Sequence, residues 1–178
     1  FVRGSVEKAF DTADAIVECT FQTSMVHQSY LEPHATIVDP GTNSQGVTVW
    51  SCTQSQFGVR KEVAEVLGIA ETDVHVKPMP VGGGFGGKFL LYEPLVALAA
   101  RTIGSPLRLI LTRQEELMSA IPAPASSITI KIAASADGIL TGIAADYKFD
   151  AGCFPNERHS IAALMTGSVY QWPNLDIK

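Results

Sequence analysis

The chain has 178 residues, 46% of them apolar and 17% charged, with 13 Lys and Arg against 18 Asp and Glu for a net charge of -5. This is a globular composition, which excludes general disorder, and an acid excess without any basic run excludes a dedicated nucleic-acid surface. No apolar run approaches the roughly 18 residues of a membrane span, and Phe1 to Phe10 lacks the pattern of a signal peptide.

The three cysteines, Cys19, Cys52 and Cys153, are widely spaced with no C-x-x-C pair, so they encode neither a disulfide framework nor a metal cage. A reducing, cytoplasmic setting is expected. The length suits one domain, 1–178, and the start at Phe1 rather than Met suggests a segment of a longer polypeptide.

Ser5 is placed to cap a helix running to Asp14. Ala15 to Gln22 then alternates Val17, Cys19 and Phe21 with Glu18, Thr20 and Gln22, the pattern of a half-buried strand. Ala35 to Val38 and Val47 to Cys52 are β-branched runs separated by turn formers from Asp39 to Gly46, and they read as a hairpin with a long loop. From Gln54 the period becomes helical, with Phe57, Val63, Val66 and Leu67 on one side and Gly68 at the C-terminal cap. A strand, Val74 to Pro78, follows.

Glu93-Pro94 opens a second helix through Leu95, Leu98 and Ala99 to Gly104, with proline in its first turn. Leu107 to Leu111 reads as a short buried strand, and Thr112-Arg113-Gln114-Glu115 as a capping box. Ser127 to Ala134 and Ile139 to Tyr147 flank Asp137-Gly138, a strong hairpin signal. The nearest thing to a linker is Ile121 to Ala125. The fold class expected from this order is α+β, with helices layered on mixed β-sheet.

Val81 to Lys88 holds five glycines in the six positions from Gly82 to Gly87. Glycine costs about 0.5–1 kcal/mol against alanine in regular structure, so this density signals positive φ or a close approach to the backbone. Three readings compete. Gly82, Gly84 and Gly87 satisfy G-x-G-x-x-G, yet Pro94 starts the next helix too late for a pyrophosphate to rest on it. Gly82 to Lys88 fits the P-loop pattern, making a phosphate- or nucleotide-binding module on 82–88 the alternative, but Phe89 stands where Ser or Thr holds magnesium. The third is a purely structural tight turn.

The loop resembles the cofactor loop of the molybdenum hydroxylases, the family of xanthine dehydrogenases, aldehyde oxidases and carbon monoxide dehydrogenases, in the N-terminal part of their molybdenum-binding region. Further segments are similar in family order. His27 to His34 resembles H-x-x-x-(M/L)-E-P, Val49 to Gln54 resembles W-x-x-T-Q, and Leu109 to Glu115 resembles L-T-R-x-E. Asp150 to Phe154 resembles D-x-G-A-(Y/F), and Tyr170 to Asn174 resembles Y-x-(I/W)-P-N. The 31-residue step from Gln54 to Phe85 is also the family's.

The resemblance implies a molybdenum-molybdopterin cofactor whose metal takes no side chain as direct ligand. Gln54 matches the glutamine that donates to a molybdenum oxo group, and Phe85 matches the loop residue beside the metal. Gly83, Gly84 and Gly86 would present N–H groups to the cofactor. Iron-sulfur and FAD groups, on partner domains or subunits, would carry electrons away. The reaction implied is hydroxylation of an aldehyde or N-heterocycle carbon with water as oxygen source. The family's catalytic base lies in a G-x-G-E motif absent here, so no catalytic residue is expected in 1–178 and the chain alone is expected to be inactive. Glu32 reads as a brace for the site, His27 and His34 as scaffold, and Cys52 as a buried small residue. Phe89 stands where purine-oxidising members tend to carry glutamate, which weighs towards an aldehyde or other substrate.

Overall fold

The computed structural model describes residues 1–42, 46–89, 91–152 and 158–178, with side chains from residue 160 in the last stretch. Cys153, Phe154 and the turn formers Asn43, Ser44 and Gln45 lie outside the described residues. The chain forms two compact units, one built from 1–26 and 124–178, the other from 27–123. The boundary falls inside the Ile121 to Ala125 stretch.

The first unit carries a five-stranded mixed sheet in the order β1-β9-β8-β7-β2, from β1 (Val2–Arg3), β2 (Ala15–Thr23), β7 (Ser126–Ala134), β8 (Leu140–Phe149) and β9 (Asn174–Ile177). Its helices are α1 (Val6–Asp11) and α5 (Arg158–Ser168). Ser5 Oγ accepts the Lys8 N–H, as its capping role requires, but the helix stops three residues before Asp14, whose N–H joins Ala134. The β7–β8 hairpin turns at Gly138 with φ of 77°. Ile143, Ala145, Ala163, Trp172, Leu175 and Ile177 form the core.

β2 departs from its expected half-burial, since all nine of its residues are exposed, Val17 at 62% and Phe21 at 55%. It is the last strand of its sheet and, among the described residues, is hydrogen-bonded only to β7. Alternation fixes which side chains share a face; it does not supply a partner for that face.

The second unit carries a four-stranded sheet in the order β5-β4-β3-β6, from β3 (Ala35–Asp39), β4 (Val47–Ser51), β5 (Val74–Pro78) and β6 (Leu107–Ile110). β3 pairs antiparallel with β4 and β6, whereas β4 and β5 are parallel and joined through α2 (Gln56–Leu67). α3 (Glu93–Ile103) packs beside α2, and α4 (Arg113–Ser119) follows β6. Gly68 and Gly104 close α2 and α3 in the left-handed conformation.

The helix faces differ in part from the expected ones, although Val63 is buried and Leu67 packs against the core. Val59, Val63 and Ala64 of α2 meet Val96, Ala97 and Ala100 of α3 and Val38, Val47 and Val49 of the sheet, whereas Phe57, Leu95 and Leu98 are exposed. Small side chains let two helices share one sheet face, so valine and alanine take the interior. β6 is an edge strand that exposes Arg108 and Ile110, not the buried strand its composition suggested. On the face away from the helices, Ile37, Trp50, Met79, Ile110 and Arg108 line a cleft of about 580 Å³.

Candidate cofactor-binding site

The sheet of the second unit gathers the site at one end. β4 and β5 are parallel, so their carboxyl ends coincide, and Ser51 is opposite Pro78. One strand runs on into Cys52-Thr53-Gln54 and the other into the glycine loop. β3 runs the other way, so its start, preceded by Glu32, lies at the same end, as does the end of β6, where Ala35 faces Ile110 and α4 begins. Crevices beyond the carboxyl ends of parallel strands are the usual place for ligands in such sheets.

Gln54 is tied to the loop three times. Its backbone N–H donates to Lys88 O at 2.7 Å, while its side-chain Oε1 accepts the N–H groups of Gly86 and Lys88, each at 3.1 Å. With the amide oxygen taken, the NH2 end is a donor with no partner among the described residues, on a side chain that is exposed. Phe85 stands beside it with φ of 48° and its ring 74% exposed.

The glycines are required one by one. A Cβ on Gly84 would sit 2.4 Å from Gln54 Oε1, so only glycine admits the glutamine there. Gly86 has open space but φ of +88°, which other side chains rarely adopt. Its N–H is spent on Gln54, so it holds the glutamine in place instead of offering a donor outward. Gly83 and Gly84 retain N–H groups without partners among the described residues.

Glu32 closes the loop. Its Oε2 accepts the Gly82 N–H at 2.7 Å and the Lys88 ammonium at 2.7 Å, bridging the first residue of the glycine run and the lysine that follows it. Burial pushes the Glu32 carboxyl up, but the bonds from Lys88 and Gly82 outweigh it and hold it below the usual carboxylate range. Lys88 is 1% exposed and its ammonium lies 4.6 Å from the centre of the Tyr30 ring. A lysine so enclosed cannot reach a phosphate, and the loop opens no helix, since α3 begins at Glu93; the nucleotide-binding alternative is not favoured.

Beneath the loop, the fully buried Glu116 accepts from the Tyr30 hydroxyl at 2.5 Å, from the His34 N–H at 2.6 Å and at His34 Nδ1, 2.7 Å away. Those bonds hold its carboxyl down against the upward push of burial. Burial, reinforced by the same contact with a carboxylate, drives the Tyr30 phenol up. Arg113 donates to the carbonyls of Tyr30 and Leu31, and Thr112 and Glu115 form the anticipated capping box. His27 accepts the Ser29 N–H at Nδ1, 2.9 Å away, and Cys52, 5% exposed, accepts the Ala35 N–H at Sγ.

Glu116 escaped the sequence reading, which matched its neighbour Glu115. A three-residue step from Arg113 puts Glu116 on the inner face of α4, and that spacing was the available signal. The buried pairing of Lys88 with Glu32 was also missed, because fifty-six residues separate them. The segments around Asp150 and Tyr170 belong to the other unit. Among the described residues, no group of three or more His, Cys, Asp or Glu is placed to hold a metal ion.

The donor set fits a pterin-held metal group: Gly83 and Gly84 N–H groups without partners among the described residues, and a Gln54 amide NH2 left free by the capture of its oxygen. The chain belongs to the molybdopterin cofactor-binding domain family, whose family model it matches over residues 1–178. It is 30% identical over 171 residues to an Escherichia coli K12 protein named Probable hypoxanthine oxidase XdhD, covering 96% of this chain and 18% of that one. The aldehyde oxidoreductase of Desulfovibrio gigas shares the fold, with a TM-score of 0.83 at 24% identity over 99% of this chain and 20% of that one. Quinoline 2-oxidoreductase from Pseudomonas putida 86 superposes with a TM-score of 0.78 at 27% identity, over 98% of this chain and 23% of the other. The chain thus spans about a fifth of the length of these relatives. Among the described residues, no helix is long and apolar enough to cross a membrane.

Proposed function

We propose that residues 27–123 form one wall of the molybdopterin site in the molybdenum subunit of a cytoplasmic oxidoreductase. The observation that carries this is the double capture of Gln54 Oε1 by Gly86 and Lys88, which turns the amide NH2 outward as a fixed donor. Gln54 would donate to an oxygen of the metal group, Gly83 and Gly84 would offer N–H groups to the cofactor, and Gly86 keeps Gln54 in register. Phe85, 74% exposed, would lie beside the metal without ligating it. When bound, the cofactor supplies the two-electron redox chemistry that hydroxylates an aldehyde or N-heterocycle carbon with oxygen from water.

What these residues do is hold and orient. Donors fixed before the reaction stabilise charge developing on an oxygen without reorganising. The base that takes a proton from water, the substrate contacts, and the iron-sulfur and FAD groups belong to the remainder of the subunit and its partner domains or subunits. An exposed apolar Phe89 after the loop favours an aldehyde or other small substrate over a purine. The test is the molybdenum and pterin content of the longer subunit with the wild-type loop and with Gly84→Ala, whose methyl would displace Gln54. Equal content in both sinks the reading.

A further inference from the structure

Lys88 is among the most enclosed side chains in the chain, at 1% exposure, and charged residues are rarely buried so fully unless paired. Its backbone N–H and carbonyl already hold Gln54, and the carbonyl also accepts from Thr53 Oγ1 at 3.2 Å. Any residue could supply those backbone bonds, and an apolar side chain would be cheaper to bury. What the ammonium adds is the 2.7 Å bond to Glu32, whose same oxygen takes the Gly82 N–H. Its other neighbour, the Tyr30 ring, belongs to the residue whose Cβ would meet a methyl on Gly83 at 2.9 Å.

Both contacts of the ammonium therefore lead back to the glycine run, and one carboxylate oxygen ties its first residue to the lysine that follows it. The loop is closed at its base by a charge pair, and the residue that closes it is the one that orients Gln54. We propose that Lys88 and Glu32 are positioning residues for the cofactor: the pair touches no ligand, but sets the spacing between the Gly83 and Gly84 N–H groups and the Gln54 amide. This rests on reading the loop as a cofactor cradle.

The test uses the longer subunit carrying Glu32→Gln, Lys88→Met or both, with Ser5→Ala as a control that removes the cap of α1, which belongs to the other unit. Two quantities are measured: molybdenum retained per folded subunit after dialysis, and amide hydrogen exchange across 82–88 in the cofactor-free protein. Either single variant is expected to lower retained molybdenum at least about tenfold, the scale on which groups supporting a metal site act. The double variant should be no worse than the poorer single one, because one pair is broken either way. Exchange at 82–88 should rise while α2 and α3 stay protected, and Ser5→Ala should keep its molybdenum.

Full molybdenum in folded Glu32→Gln protein, or unchanged exchange at 82–88, overturns the proposal. A loss of molybdenum that merely follows thermal stability, Ser5→Ala included, overturns it too. Glu32→Gln is isosteric at a part-exposed position and decides the matter if Lys88→Met does not fold. Wild-type subunit without molybdopterin would instead sink the cofactor reading itself.

Discussion

Tyr30 donates its hydroxyl to the buried carboxylate of Glu116 at 2.5 Å, and the same tyrosine lies under the glycine loop with its ring facing Lys88. Support for the cofactor loop is therefore two tiers deep. Glu116→Gln keeps the shape but removes the charge that Tyr30 and His34 share, and is expected to cost about 1.5–3 kcal/mol in urea unfolding.

Acid should act through the same carboxylates. Glu116 and Glu32 titrate below the ordinary value of 4.5 in the folded chain, so the unfolded chain takes up their protons first as pH falls. Their contribution is complete above about pH 4.5 and is lost as pH drops through the lowered folded-state values. Urea midpoints at neutral pH and near pH ~3.5 should show the fall, shallower in Glu116→Gln.

Gln54→Glu separates the two ends of the amide. The carboxylate still accepts from Gly86 and Lys88, so the thermal midpoint should move little, whereas the outward donor becomes an acceptor. In the loaded subunit, kcat should fall by about 10²–10³, as when a preorganised donor is removed. A variant with near wild-type turnover would remove Gln54 from the donor set.

The thiols should differ sharply. Cys52 is buried, which pushes its thiol up, and Cys19 is exposed. In a Cys153→Ser background, Ellman's reagent should titrate one thiol in the native chain and two in denaturant. Rapid native reaction at both would contradict the packing around Cys52.

The 178-residue chain by itself should hold far less than one molybdenum. The chain spans about a fifth of its relatives' length, and Phe85 in the loop is 74% exposed. Elemental analysis is the check, and stoichiometric metal in the purified chain would refute the expectation.

Much of this was legible because local chemistry decides it. Gly68 and Gly104 end their helices, Asp137-Gly138 turns a hairpin, and Thr112 with Glu115 caps α4, each within a few residues of sequence. The loop was visible for the same reason, since five glycines so close together announce a backbone requirement. What eluded the reading depends on partners distant in the chain. Periodicity identified α2 and α3 but not that Val59 and Ala97, rather than Phe57 and Leu95, would face inward. Nor does any spacing rule join Glu32 to Lys88 or Tyr30 to Glu116. α5 and β9 also went unread, because a short strand defined by pairing to β1 and β8 carries little signal of its own.

β2 sets the practical terms for handling this chain. A nine-residue strand with one unpaired edge and apolar groups on both surfaces is a template on which a second chain can continue the sheet. Preparations of the 178 residues should self-associate through it as concentration rises, and Val17→Lys with Phe21→Lys should restore a monomer by placing charge where a new strand would dock.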